Sequence, residues 1–305
     1  MATTYILCPG QGAQGVGMGR DFSDAHPAAA AVFAQANDVL GFDLAKLCFE
    51  GPEERLNQTD ISQPAIYVTS IACHAAAKAA GKLGDGPFAY AGLSLGEYTA
   101  LHLAGVFSFE DGLKLVAARG KAMQEAAVSV PSSMVAVMGA DEAAITKLCE
   151  EQAQGEVLVP ANFNAPGQIV VSGSKAACER LNTAATAAGF RSIPLVVAGA
   201  FHSPIMQPGA DVMKGELEKV TFQRPTAPVY SNVTAALHSD PATIKSLLVD
   251  QIVKPVRWEQ TMAQVANLPD VQFVELAPGK VLTGLLKKQN RRAPVLTLNE
   301  AAALA

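Results

Sequence analysis

The sequence predicts an α/β fold: a large domain with a short parallel sheet, plus an inserted ferredoxin-like (βαββαβ) small domain. Three observations carry this. An apolar strand runs into a glycine-rich loop near the N-terminus, and a second strand runs through a serine turn into a helix. From Pro131 the texture changes, and the signals follow the order β-α-β-β-α-β over roughly 65 residues. The chain has 305 residues, 50% of them hydrophobic, enough to bury a large core in one big domain or two unequal ones.

Taken in order, Thr4–Cys8 is a strand ended by Pro9, and Gly10–Gly19 is the glycine-rich loop. Helical signals follow at about Pro27–Leu40, Glu53–Asn57 and Gln63–Ala80. The last is apolar nearly all round, which places it in the interior. Gly86-Pro-Phe-Ala-Tyr-Ala fits a short buried strand, and Glu97–Val106 a helix that stops near Gly105. Phe109–Val128 reads as a helix carrying Arg119 and Lys121.

In the second region, Met134–Met138 is a strand and Asp141–Gln152 a helix capped by Asp141. Val157–Val159 and Gln168–Ser172 are strands, Lys175–Ala188 is a helix ended by Gly189, and Arg191–Val197 is a further strand. The small domain is thus expected at 131–198. The large domain takes 1–130 and 199–305, with the stretch from about Gly199 completing it.

Composition removes several classes. Charged residues are 17% and the net charge is −5, so nothing global recommends nucleic acid or an anionic membrane as partner. The five cysteines are odd in number, scattered and free of Cys-x-x-Cys or Cys/His spacing. That argues against a metal site and for a reducing compartment. The N-terminus lacks a basic region followed by a long apolar stretch, and no window approaches the roughly 18 apolar residues of a membrane span. The expectation is a cytoplasmic protein. No segment suggests an association surface, so a monomer is expected.

Gly92-Leu-Ser-Leu-Gly96 satisfies G-x-S-x-G between a strand and a helix. Such a serine sits on a cramped turn where glycines remove colliding side chains, leaving the hydroxyl exposed to a substrate carbonyl. The bland reading is a capping box, Ser94-x-x-Glu97, in which the serine merely satisfies free amides. A cap needs neither Gly92 nor Gly96, which favours the nucleophile.

Gly10-Gln-Gly-Ala-Gln-Gly15 satisfies G-x-G-x-x-G after a strand, the pattern of a dinucleotide site. Such a site needs a helix next and a second strand ending in an acid roughly 20 positions on. An alanine-rich helix occupies that window, so the loop is assigned instead to bringing backbone and Gln11 close to the serine.

A serine needs a base, and there are five histidines. His102 lies about two helical turns beyond Ser94, ~12 Å along the axis and out of hydrogen-bond reach. His74 falls in the buried helix, His26 near a helix start at the surface, and His238 in a polar segment. His202 follows a strand and precedes Ser203-Pro204, a good cap and first helical residue. A strand-to-helix loop would bring it to the same sheet edge as the serine turn. A plain surface loop is the competing reading.

Several motifs then line up in order. Gly10-Gln-Gly-Ala-Gln, Gly92-Leu-Ser-Leu-Gly-Glu-Tyr-Thr-Ala-Leu, Arg119-Gly-Lys-Ala-Met, Asn162-Phe-Asn-Ala-Pro-Gly-Gln, Ala200-Phe-His-Ser-Pro, Pro255-Val-Arg-Trp and Gly279-Lys-Val-Leu resemble those of the malonyl-CoA:acyl carrier protein transacylases. The match runs almost the whole chain. The resemblance implies a hydrolase-like α/β large domain with a ferredoxin-like insertion. It implies Ser94 as acyl-accepting nucleophile, His202 as base, and the main-chain carbonyl of Gln251 steadying the histidine. The backbone amides of Gln11 and Leu95 would form the oxyanion hole, and Arg119 would grip the malonyl carboxylate. Leu93 is a departure, since many relatives have histidine there.

The implied partners are malonyl-CoA and acyl carrier protein, with no metal and no cofactor, because the CoA thioester is a substrate. Taken alone, Arg119 would be a helix-surface ion pair and Phe201 ordinary core packing; with the resemblance, Phe201 excludes a branched acyl group. Lys280, Lys287, Lys288, Arg291 and Arg292 cluster near the C-terminus of an otherwise acidic chain. Such a run is commonly a solvated face; the alternative is docking of an acidic carrier. Other functions to separate are a serine thioesterase or hydrolase on the same turn, a discrete acyltransferase loading a polyketide synthase, and a non-catalytic module in which Ser94 only caps a helix.

Overall fold

The computed structural model describes residues 2–305. In chain order the strands are β1 (Thr3–Cys8), β2 (Phe88–Gly92), β3 (Ser132–Met138), β4 (Leu158–Ala165), β5 (Gln168–Ser174), β6 (Arg191–Pro194), β7 (Val271–Leu276) and β8 (Val295–Leu298). They form two 4-stranded sheets, ordered β2-β1-β7-β8 and β4-β5-β3-β6. The first is parallel throughout and the second antiparallel throughout.

β1 is central in the parallel sheet, and its Ile6, Leu7 and Cys8 have no exposed surface. A parallel strand covered on both faces needs such a continuous apolar run. The helix Thr59–Ala79 packs against the helix Phe109–Ser129, and every residue from Ile61 to Cys73 is buried. It starts four positions before the expected Gln63, because polar Thr59 and Asp60 open its first turn.

The antiparallel sheet alternates as its pleat requires. Val135 and Val137 pack with Ile145, Cys149 and Leu181 of two helices, Glu142–Ala153 and Lys175–Ala187. Met134 and Ala136 turn the other way, into the core shared with Met123 and Ala127. Asp141 caps its helix as expected, accepting from the Ala144 N–H at 2.8 Å. β4 is longer than expected, running to Ala165. β6 is shorter, ending at Pro194 rather than Val197, since proline supplies no N–H to extend the ladder.

β1 and β2 end together, with Cys8 opposite Gly92. The glycine-rich loop and the serine turn therefore leave one carboxyl edge of the parallel sheet, where open α/β sheets place their ligands. No helix begins before Arg20 and no strand follows β1 until Phe88, so the dinucleotide pattern has no βαβ unit to sit in.

Candidate active site

The serine turn is built by close packing. A Cβ on Gly92 would lie 1.9 Å from the Gly96 carbonyl carbon, and one on Gly96 would lie 2.0 Å from the Cys8 carbonyl oxygen. Ser94 itself has φ +53°, a left-handed conformation that non-glycine residues avoid. Strain of that kind costs of order 1–3 kcal/mol and is held in place by its surroundings. Asn232 supplies the hold, accepting the Ser94 N–H on Oδ1 at 2.6 Å and donating from Nδ2 to the Gly92 carbonyl at 2.7 Å.

The competing capping-box alternative finds no support. The helix Gly96–Leu103 has no side-chain cap, because the strained turn swings the Ser94 hydroxyl away from the helix amides. Glu97 is fully buried and reaches Asn232, Gln251 and His238 instead.

His202 Nε2 lies 2.8 Å from Ser94 Oγ. Its Nδ1 is 2.7 Å from the main-chain carbonyl of Gln251, in the helix Pro241–Val253. A carbonyl only accepts, so the ring proton belongs on Nδ1, and Nε2 is left to receive the serine proton. Burial, and then the positive charge of Arg119, push the His202 pKa from 6.5 down to about 4, against the raising effect of the Gln251 bond.

The route that brings His202 to the serine differs from the expected one. It stands on the loop leaving β6, a strand of the antiparallel sheet, so it meets the serine from the other sheet rather than along the same edge. That loop is pinned: Ser172 Oγ donates to the Phe201 carbonyl at 2.6 Å, and Ser203 Oγ to the Ala200 carbonyl at 2.6 Å. His202 also adopts positive φ, +57°. Ser203 and Pro204 open a short 3₁₀ turn, Pro204–Met206, before the next helix.

Arg119 is 1% exposed, which corrects the expectation of a surface ion pair. Nη1 donates to Gln63 Oε1 at 2.7 Å; Nη2 donates to Gln251 Oε1 at 2.8 Å and to Ser94 Oγ at 3.1 Å. Its guanidinium carbon lies 5.5 Å from the Tyr98 ring centroid. No carboxylate pairs with it among the described residues. Burial lowers its pKa. A buried cation served only by neutral groups is costly unless an anion arrives.

Gly10 lies against the serine turn, where a Cβ would come within 2.3 Å of the Leu93 carbonyl oxygen. The main-chain N–H groups of Gln11 and Leu95 have no acceptor among the described residues. The Leu95 side chain is fully buried, whereas the Gln11 side chain donates to Thr59 Oγ1 at 3.4 Å. Gln11, Ser94, Arg119, Phe201 and His202 line one cleft of about 630 Å³. Leu95 and Gln251 stand behind it. Phe201, 6% exposed, fills the wall beside the histidine.

Gln63, Asn232 and His238 carry no functional motif in the sequence, and Glu97 reads there only as part of a possible cap. His238, expected in a polar segment, has a fully buried side chain bonded to Glu97 at 2.6 Å. Only Glu97, inside the serine motif, offered a local signal. His102 meets the Phe107 carbonyl at 3.1 Å, away from the serine.

A strained serine, a histidine and a buried arginine thus share one cleft. The acyl transferase domain model matches residues 4–302, and the chain belongs to that family. It is similar to the malonyl CoA-acyl carrier protein transacylases of Salmonella typhimurium, 44% identical over 305 residues, and of Escherichia coli K12, 43% identical over 306 residues. Each alignment covers 100% of this chain and 98% of the relative. The solved malonyl CoA-acyl carrier protein transacylase of Coxiella burnetii superposes with a TM-score of 0.95 at 36% identity, covering 99% of this chain and 96% of that one. A malonyl-transacylase solved with a type II PKS acyl-carrier protein gives 0.93 at 40% identity, covering 99% and 98%.

Proposed function

We propose that the chain transfers a malonyl group from malonyl-CoA to the phosphopantetheine thiol of acyl carrier protein, through a malonyl ester on Ser94. The observation that carries this is the arginine, a buried cation in direct contact with no carboxylate among the described residues, 3.1 Å from the serine hydroxyl. Neutral esters have no use for it. A malonyl carboxylate would accept two charge-assisted bonds, each worth ~1.5–3 kcal/mol.

His202 Nε2 takes the Ser94 proton as Oγ attacks the thioester carbonyl. The unpartnered amides of Gln11 and Leu95 receive the developing oxyanion, each such donor being worth ~10²–10³ in rate. The tetrahedral species expels the CoA thiolate, which leaves with the proton from His202. The carrier thiol then gives its proton to His202, attacks the malonyl ester, and Ser94 departs reprotonated. The Gln251 carbonyl holds the imidazolium in both halves. Phe201, on the cleft wall beside the histidine, would exclude a branch on the acyl α-carbon. The reading asks for no cofactor, since the chain supplies nucleophile, base, cation and donors.

The order β4-β5-β3-β6 with its two helices supports a ferredoxin-like insertion in a hydrolase-like domain. Five free, buried cysteines support a cytoplasmic setting. Among the described residues no helix is long and apolar enough to cross a membrane. For the acidic carrier, the landing surface is the basic cluster at the C-terminal end of the helix Val281–Gln289, where Lys288 and Arg291 are exposed; Val281 and Leu285 of the same helix line the cleft.

Simultaneous chromatography of malonyl-carrier and free malonate tests the reaction class. Transfer predicts that malonyl-carrier forms and malonate stays at background. Malonate released as fast as the carrier is loaded would assign the site to a hydrolase.

A further inference from the structure

Glu97 has no exposed surface, and both of its oxygens accept hydrogen bonds. His238 Nε2 donates to Oε1 at 2.6 Å; Gln251 Nε2 at 2.6 Å and the Asn232 N–H at 3.1 Å donate to Oε2. A carboxylate only accepts, so it dictates which way a bonded carboxamide turns. The Gln251 NH₂ therefore faces Glu97 and the Ser94 carbonyl, 3.0 Å away, and its Oε1 faces Arg119 Nη2 at 2.8 Å. Turned over, that NH₂ would meet the guanidinium donor to donor.

His238 holds the second carboxylate oxygen. Its side chain is fully buried and its Nδ1 has no partner, so the bond to Glu97 is its one polar anchor among the described residues. The reacting groups touch neither residue. We propose that Glu97, clamped by His238, is a positioning residue: it fixes the polarity of the Gln251 carboxamide and so aims Arg119 at the substrate carboxylate. This rests on the reading of Arg119 given above. Glu97 also bonds Asn232, which holds the serine turn, so its loss lowers reaction with every acyl group. What separates aiming from support is the ratio between a charged and an uncharged acyl group.

The experiment is single-turnover acylation of the full chain by malonyl-CoA and by acetyl-CoA, in wild type, Glu97→Gln, His238→Leu and His238→Gln. Glu97→Gln lowers the malonyl-to-acetyl ratio of kcat/KM on the order of tenfold, with the larger part in malonyl KM. His238→Leu lowers it in the same direction, and His238→Gln, which keeps an N–H donor, restores it. A folded Glu97→Gln that loses activity equally on both thioesters, or loses none, overturns the proposal. Should Glu97→Gln not fold, the two His238 variants decide: equal ratios for Leu and Gln overturn it, and rescue by Gln supports it. A wild type without malonyl preference would instead remove the reading of Arg119 itself.

Discussion

At the scale of single residues, the proposed chemistry and its pH dependence rest on the contacts among Ser94, His202 and Arg119. His202 serves as a base only when unprotonated, and its pKa is lowered to about 4, first by burial and then by Arg119. The profile of kcat/KM, which reports the free enzyme's base, is expected to stay flat through pH 6.5 and fall only as pH approaches 4. An acid limb at 6.5 would contradict the buried geometry. Arg119→Met removes the charge that helps depress the histidine. With acetyl-CoA, which does not need the arginine, the limb is expected to move toward higher pH. Malonyl acylation falls by at least about tenfold, the worth of one charge-assisted bond. The sign for stability follows from the same shift. Below pH 6.5 the unfolded chain binds a proton at residue 202 that the folded chain refuses, so stability declines as pH falls from there toward 4. Part of this was legible: Ser94 and His202 stand out from their local patterns, whereas Arg119 and Gln251 enter only through the family resemblance. The role of Glu97 was hidden because a local cap and a long-range anchor share one spacing. His238 and Asn232 carry no local signal, since their partners lie more than a hundred positions away.

At the scale of elements, the serine turn depends on two contacts that admit no side chain. Gly96→Ala would force a Cβ against the Cys8 carbonyl, and Gly92→Ala against the Gly96 backbone. Each is expected to cost about 1–3 kcal/mol in stability, as overpacking does. Each also costs on the order of 10² in kcat, since ~1 Å displacement spoils attack geometry. Paired urea melts and steady-state rates check this; a variant with wild-type kcat would show that the turn tolerates a methyl. On the helix Val281–Gln289, Lys288 is exposed and reaches the Gln168 side chain at the cleft, whereas Lys287 is half-buried and bonded to the Ala293 carbonyl. Reversing Lys288 and Arg291 to Glu is expected to raise the carrier KM several-fold and to steepen no step of malonyl-CoA acylation. Unchanged carrier KM would remove this surface from the account. Regular elements with strong periodicity, such as Pro27–Leu40, were readable to their ends. β7 and β8 were not resolved as separate strands. Glu275 lies inside β7, a buried carboxylate that accepts the Leu282 and Thr283 amides and breaks the apolar pattern.

At the scale of the whole molecule, the site exists only where two sheets meet. The serine comes from the edge of the parallel sheet, the histidine from the loop leaving the antiparallel sheet, and the arginine and glutamine from helices between. The order of elements in the second region was readable because each strand and helix is locally amphipathic. The meeting of the two sheets was not, because the contacts that pin the histidine loop, from Ser132 and Ser172, join residues with no periodic relation. The central claim is a covalent handover at one hydroxyl, and peptide-level mass spectrometry of the acid-quenched enzyme tests it most directly. After brief exposure to malonyl-CoA, a malonyl group should reside on Ser94, be absent in Ser94→Ala, form far more slowly in His202→Ala, and vanish on adding carrier protein. A malonyl group on another residue, or carrier loading with no enzyme adduct, would contradict the account.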